Sequence, residues 1–113
     1  MDVEKWNASR WGSLSEENMK KKLEFEGYDV SRYVYSPRTV FPDHSHSLDK
    51  KDAVVSGKFK IEVAGRVFVL EAGDMIAVPA GTVHNAKVLG TEPVVSLDAT
   101  RRRKEGELDK LLR

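Results

Sequence analysis

The chain has 113 residues, no cysteine and a formal net charge of +1. That length suits one small domain with a single core, and the lack of thiols excludes a disulfide framework or a cysteine-ligated metal. Apolar residues make up 40% and charged residues 33%, an ordinary globular balance, and a charge so near zero gives no general attraction to nucleic acid or anionic membrane.

The longest apolar runs, such as Val67 to Leu70, fall far short of a membrane span, and the opening MDVEKWNASRW lacks the apolar centre of a signal peptide. The expected location is therefore the cytoplasm, with neither membrane nor nucleic acid as partner. Residues 1–27 read as an N-terminal extension with a short helix over residues 13–26, SLSEENMKKKLEFE. Ser13 and Glu16 fit a capping box, Met19 and Leu23 lie one turn apart, and Gly27 suits the position just past the end. Trp6 and Trp11 fit packing across a barrel or a subunit interface better than the lining of a ligand site.

Residues 28–100 carry a strand-and-turn pattern. KFKIEV alternates, with Phe59, Ile61 and Val63 on one face and Lys58, Lys60 and Glu62 on the other. Ala64-Gly65 then reads as a hairpin turn, and RVFVLE as a strand covered on both sides. YDVSRYVY, DAVVS, MIAV and PVVSLDA are further strands, broken by Gly, Pro, Asp and Asn at the short intervals of an all-β sandwich or barrel. Tyr33 and Tyr35 share one face of the first of these. Residues 101–113, RRRKEGELDKLLR, return to a helical composition with Leu108, Leu111 and Leu112 as apolar positions. The basic tetrad Arg101 to Lys104 is followed at once by acidic residues, which suits a solvated helix start rather than a nucleic-acid arm.

All three histidines fall inside the barrel region. His44 and His46 are two apart, a spacing that puts both on one side of an extended strand. His84 follows Gly73-Asp74, MIAV and Pro79-Ala80-Gly81, two turns around a strand. Three imidazoles suffice for a zinc, nickel, manganese or ferrous site with positions left open.

The spacing of Gly73, Pro79, Gly81 and His84 resembles the second cupin motif. His44, His46 and Gly57 resemble the first, except that its glutamate slot holds Lys50, or Lys51 at the longer spacing. The resemblance covers roughly residues 30–100. It implies a double-stranded β-helix, a jelly-roll barrel, in which His44, His46 and His84 converge on one divalent transition ion. It further implies a small, possibly anionic, metabolite as ligand or substrate, and a homodimer, for which RVFVL offers apolar surface. The alternative is a barrel that binds a small molecule, or is merely structural, without metal chemistry.

Lys50 bears on that choice, because an ammonium in place of a carboxylate changes the local charge by two units. The favoured arrangement turns Lys50 outward and completes three histidines with water, Asp49 or Asp52 being a possible fourth ligand from a shifted register. A lysine kept inside would instead anchor an anion.

Overall fold

The structure, a computed structural model, describes residues 1–102. Two short helices, α1 (Ala8–Trp11) and α2 (Glu16–Phe25), precede eight strands: β1 (Asp29–Tyr35), β2 (Val40–His44), β3 (Asp49–Ser56), β4 (Lys58–Val63), β5 (Arg66–Leu70), β6 (Met75–Val78), β7 (His84–Leu89) and β8 (Val94–Arg101). The strands form two antiparallel four-stranded sheets, ordered β1-β8-β3-β6 and β2-β7-β4-β5. The chain is thus all-β, as expected, with its strands arranged as a jelly roll. The tail helix expected over residues 101–113 lies outside the described residues, apart from Arg101, which closes β8.

The two sheets face each other over a core that includes Val54, Ile61, Leu70, Ile76, Val88 and Val94. Period-two alternation decides what else points inward. On β4, Phe59, Ile61 and Val63 are buried while the intervening residues are not. On β3 both phases are buried, for different reasons. Ala53 joins Met75, Leu97 and Ala99 under Met19 and Leu23 of α2, on the outer face of the first sheet. The other phase, Lys50, Asp52 and Val54, therefore faces the barrel interior.

Helix α2 begins two residues later than the capping-box reading. Ser15, not Ser13, is the N-cap and accepts from the Asn18 amide at 3.0 Å, while the Ser13 carbonyl accepts from the Asn18 side chain. The β4–β5 hairpin turns at Ala64 and Gly65, with φ of 51° and 76°, the paired positive values of a type I′ turn. Strand β5 corrects the expectation of a strand covered on both faces. It lies at the edge of its sheet, and Val67 and Val69 are 57% and 45% exposed.

The N-terminal extension is fastened to the barrel. Glu4 and Met75 exchange backbone hydrogen bonds of 2.7 and 2.9 Å along the edge of β6, and the Glu4 carboxylate meets Lys22 and Lys51, both also paired with Glu26. Trp6 packs against the α2 cluster and Trp11 against Phe25 at 5.6 Å, so neither tryptophan borders the cavity described below.

Candidate functional site

Strands β2 and β7 pair so that His44 and His84 are register partners, and Val63 of β4 lies opposite His84 on its other side. Because Val63 is a core residue, the same row carries both imidazoles inward. The pairing shifts between Phe41 and His44, and β2 ends at His44, so His46 sits in the following loop rather than on the strand. This corrects the single-strand reading of the His-x-His pair. A different device aims His46: its carbonyl accepts from the Gly81 amide at 2.8 Å, and Asp49 Oδ1 accepts from the Ala80 amide at 2.8 Å. The Pro79–Gly81 turn that precedes His84 thus pins the loop that carries His46.

The result brings the three predicted residues together. Their ring centroids are 4.3 to 5.3 Å apart, and one nitrogen from each lies within 4.8 Å of the others. Tautomers are set by neighbours that can only accept: His44 Nδ1 is 2.6 Å from the Pro42 carbonyl and His84 Nδ1 is 2.9 Å from that of Thr82. Each Nδ1 therefore donates, and in the neutral ring that leaves the lone pair on Nε2, the arrangement that metal-binding histidines use. His46 Nε2 is buried and without a hydrogen-bond partner among the described residues. Burial, then the nearby Lys50 ammonium, holds His46 below the ordinary imidazole range. His84 is also lowered, by burial first, against an opposing contribution from the Thr82 carbonyl. Preoriented imidazoles, two of them favoured in the neutral form, are what a divalent ion requires, so the donor set fits one.

The histidines line a cavity of about 140 Å³. Tyr35, Phe41 and Phe59 form an aromatic wall, with centroids 4.8 to 6.0 Å apart. Burial, reinforced by Asp98 and Asp52, pushes the Tyr35 phenol well above its ordinary range, so it stays protonated. Tyr33 stacks on Tyr35 but is half exposed and does not line the cavity.

Lys50, Asp52 and Asp98 supply the remaining charge. Lys50 does not turn outward: it is 8% exposed, lines the cavity, and places Nζ 2.7 Å from Asp98 Oδ1 and 3.7 Å from Asp52 Oδ1. The reason is the phase of β3, which puts Lys50 in line with Val54. Burial alone would lower the lysine pKa, but Asp52 and Asp98 outweigh it and raise it, so the ammonium persists. Asp52 faces Asp98 directly across β3 and β8. Burial, with a further contribution from Asp98 and against that of Lys50, pushes its carboxyl up to about 6. Asp49 is turned to Ala80 and is not part of the cavity wall, and Asp52 is engaged with Lys50, so neither joins the histidine group.

Asp98 was not singled out from the sequence. In PVVSLDA it alternates with Leu97 and Ala99, the apolar phase that looks like the interior. The signal lay in α2, whose Met19 and Leu23 cover that phase and leave Val94, Ser96 and Asp98 facing inward.

A family model described as a cupin domain matches residues 31–100. Among solved structures, a conserved protein of unknown function from Streptococcus pyogenes aligns with a TM-score of 0.60 at 18% identity, over 68% of this chain and 66% of that one. The Cnp3 cupin domain of Schizosaccharomyces pombe gives 0.64 at 14%, over 74% and 61%. KdgF from Halomonas sp. gives 0.56 at 27%, over 69% and 74%. This chain spans just under two thirds of the streptococcal and yeast structures, and at those identities they speak to the fold alone. No curated protein matches the sequence. Among the described residues no helix is long and apolar enough to cross a membrane.

Proposed function

The chain belongs to the cupin family, and from that premise we propose that it is a small metal-binding cupin that binds, or acts on, a small metabolite at His44, His46 and His84. The observation that carries this reading is the convergence of three imidazole nitrogens within 4.8 Å on the wall of a cavity. One divalent ion, zinc, nickel, manganese or iron, would be held by the three histidines and would polarise a carbonyl or activate water there. The chain's own residues prepare that position. Pro42 and Thr82 orient two of the rings, the Gly81 amide fixes the loop of the third, and the aromatic wall keeps water from one side of the ligand.

Lys50 supports a second reading, in which the barrel binds its ligand without metal, because an ammonium stands where the family motif carries a carboxylate. The proposal also places the protein in the cytoplasm as a homodimer, for which the open edge of β5, with Val67 and Val69 exposed, is the supporting feature. Elemental analysis of the purified protein, followed by an activity screen of metal-loaded and chelator-stripped forms, tests the main reading. About one equivalent of a transition metal per chain supports it; a protein that takes up none, even when offered zinc or nickel, rules it out in favour of the metal-free barrel. Sedimentation at micromolar concentration tests the dimer, and a monomer throughout would remove it.

A further inference from the structure

We infer that Asp98 is the residue that lets the histidine site accept a divalent ion in the presence of Lys50: it ligates nothing, and instead offsets the lysine's charge and ties the ammonium to the opposite sheet. The inference deepens the proposed function and rests on its reading of the histidines.

The two groups line one cavity from different sheets. His44 and His84 stand on β2 and β7 of the second sheet, and His46 in the loop after β2, whereas Lys50, Asp52 and Asp98 stand on β3 and β8 of the first. Lys50, Asp52 and Asp98 are the only lysine or carboxylate side chains in the lining, and the Tyr35 phenol stays protonated. As a sphere, a cavity of 140 Å³ would be about 6 Å across, less than the Debye length of roughly 8 Å at physiological salt. An ion on the histidines therefore feels each of these charges with little screening.

Taken alone, Lys50 would oppose the ion. Like charges repel strongly where water is scarce, and a lysine stem is long and flexible enough to carry its ammonium toward the histidines. Asp98 answers on both counts. Lys50 lies opposite Thr100 in the β3–β8 register, so it reaches Asp98 on the diagonal, with Nζ 2.7 Å from Oδ1. Asp52, at 3.7 Å, is the more distant partner. With both carboxyls ionised, one lysine and two aspartates leave the cluster at one negative charge, so that it attracts the ion although it contains a lysine. Without Asp98 the cluster would be neutral, and the ammonium would keep only the more distant carboxylate.

Four proteins test this: the parent, Asp98→Asn, Lys50→Met and the double variant Lys50→Met/Asp98→Asn, each checked for folding by circular dichroism. Zinc affinity is measured at pH 8 by competition with a chromophoric chelator. Asp98→Asn is nearly isosteric and should bind zinc about tenfold more weakly than the parent. The double variant regains the parent's cluster charge and should return to within about threefold of its affinity, while Lys50→Met should bind at least as tightly as the parent. A merely structural Asp98 predicts otherwise, since the double variant has lost the ion pair altogether and would bind no better than Asp98→Asn. The inference is overturned if Asp98→Asn binds zinc like the parent, if the double variant stays as weak as Asp98→Asn, or if Lys50→Met binds more weakly than the parent. Those results leave the histidine reading standing, whereas a parent that binds no zinc overturns that reading and the inference with it.

Discussion

Lys50 and Asp98 are joined across β3 and β8 by a 2.7 Å ion pair at the wall of the histidine cavity. The lysine replaces the carboxylate of the family motif, yet two carboxylates on the same inward face offset its charge. Removing it would leave Asp52 and Asp98 directly opposed without a cation, and breaking a buried pair in this way costs on the order of 3 kcal/mol. Lys50→Met should therefore lower stability at neutral pH by that order, measured by urea denaturation, with a smaller deficit in mild acid as the Asp52 carboxyl takes up its proton. A variant as stable as the parent at pH 7 would mean that the ion pair contributes nothing.

Asp52 gives a second prediction with a definite sign. Its carboxyl is pushed up to about 6 in the folded protein, from an ordinary 3.8, mainly by burial. The folded state thus binds this proton more tightly than the unfolded chain does, and its contribution to stability is lost as pH rises from about 4 through about 6. Asp52→Asn abolishes that loss. Relative to the parent, the variant should gain about 1–3 kcal/mol between pH 4 and pH 7; a stability difference that stays flat across this range would contradict the account.

The cluster that ties the N-terminal extension to the barrel behaves in the opposite sense. Burial would raise the Glu4 carboxyl, but Lys22 and Lys51 together draw it below its ordinary range. Burial would lower the Lys51 ammonium, which Glu4 and Glu26 more than reverse. The Glu4 contribution is present above the ordinary carboxylate pKa and is lost as pH falls through the lowered one. That of Lys51 holds up to the ordinary lysine pKa and is lost in stronger alkali. Glu4→Gln should cost about 1–2 kcal/mol at pH 7, since Lys22 is buried and would lose one of the two carboxylates it meets among the described residues. Thermal melts from pH 7 down to pH 3 should show the two proteins converging; parallel curves would mean that the pairing is inert.

At the β3–β4 junction Gly57 has φ of 90°, and a Cβ built there would lie 2.5 Å from the Pro93 carbonyl oxygen. Both the backbone conformation and the contact exclude a side chain. Gly57→Ala should destabilise the barrel by about 1–3 kcal/mol, whereas Gly65→Ala, with positive φ but open space around it, should cost less. Comparable losses at the two positions would show that the approach of Pro93 is not what fixes Gly57.

Much of the barrel was legible in the sequence because its signals are local. The alternation of Phe59, Ile61 and Val63, the Ala64-Gly65 turn and the spacing from Gly73 to His84 each lie within a dozen residues. What was not legible depends on which face of a strand the fold covers. Lys50 turned inward and Asp98 entered the cavity because α2 occupies the outer face of the first sheet, leaving the polar phase of β3 and β8 to face the interior. The exposed valines of β5 were misread for the converse reason, since nothing in RVFVL says that the strand lies at a sheet edge. His46 joined the site through the Gly81 amide rather than through strand alternation, a contact between residues 35 positions apart.

The central claim is that His44, His46 and His84 form one ion site, and zinc affinity measured by competition with a chromophoric chelator tests it most directly. The parent should bind about one zinc per chain, each single His→Ala variant should bind at least tenfold more weakly, and the triple variant should retain a folded barrel by circular dichroism while binding none. A triple variant that held zinc with the affinity of the parent would contradict the account, because the ion would then sit elsewhere.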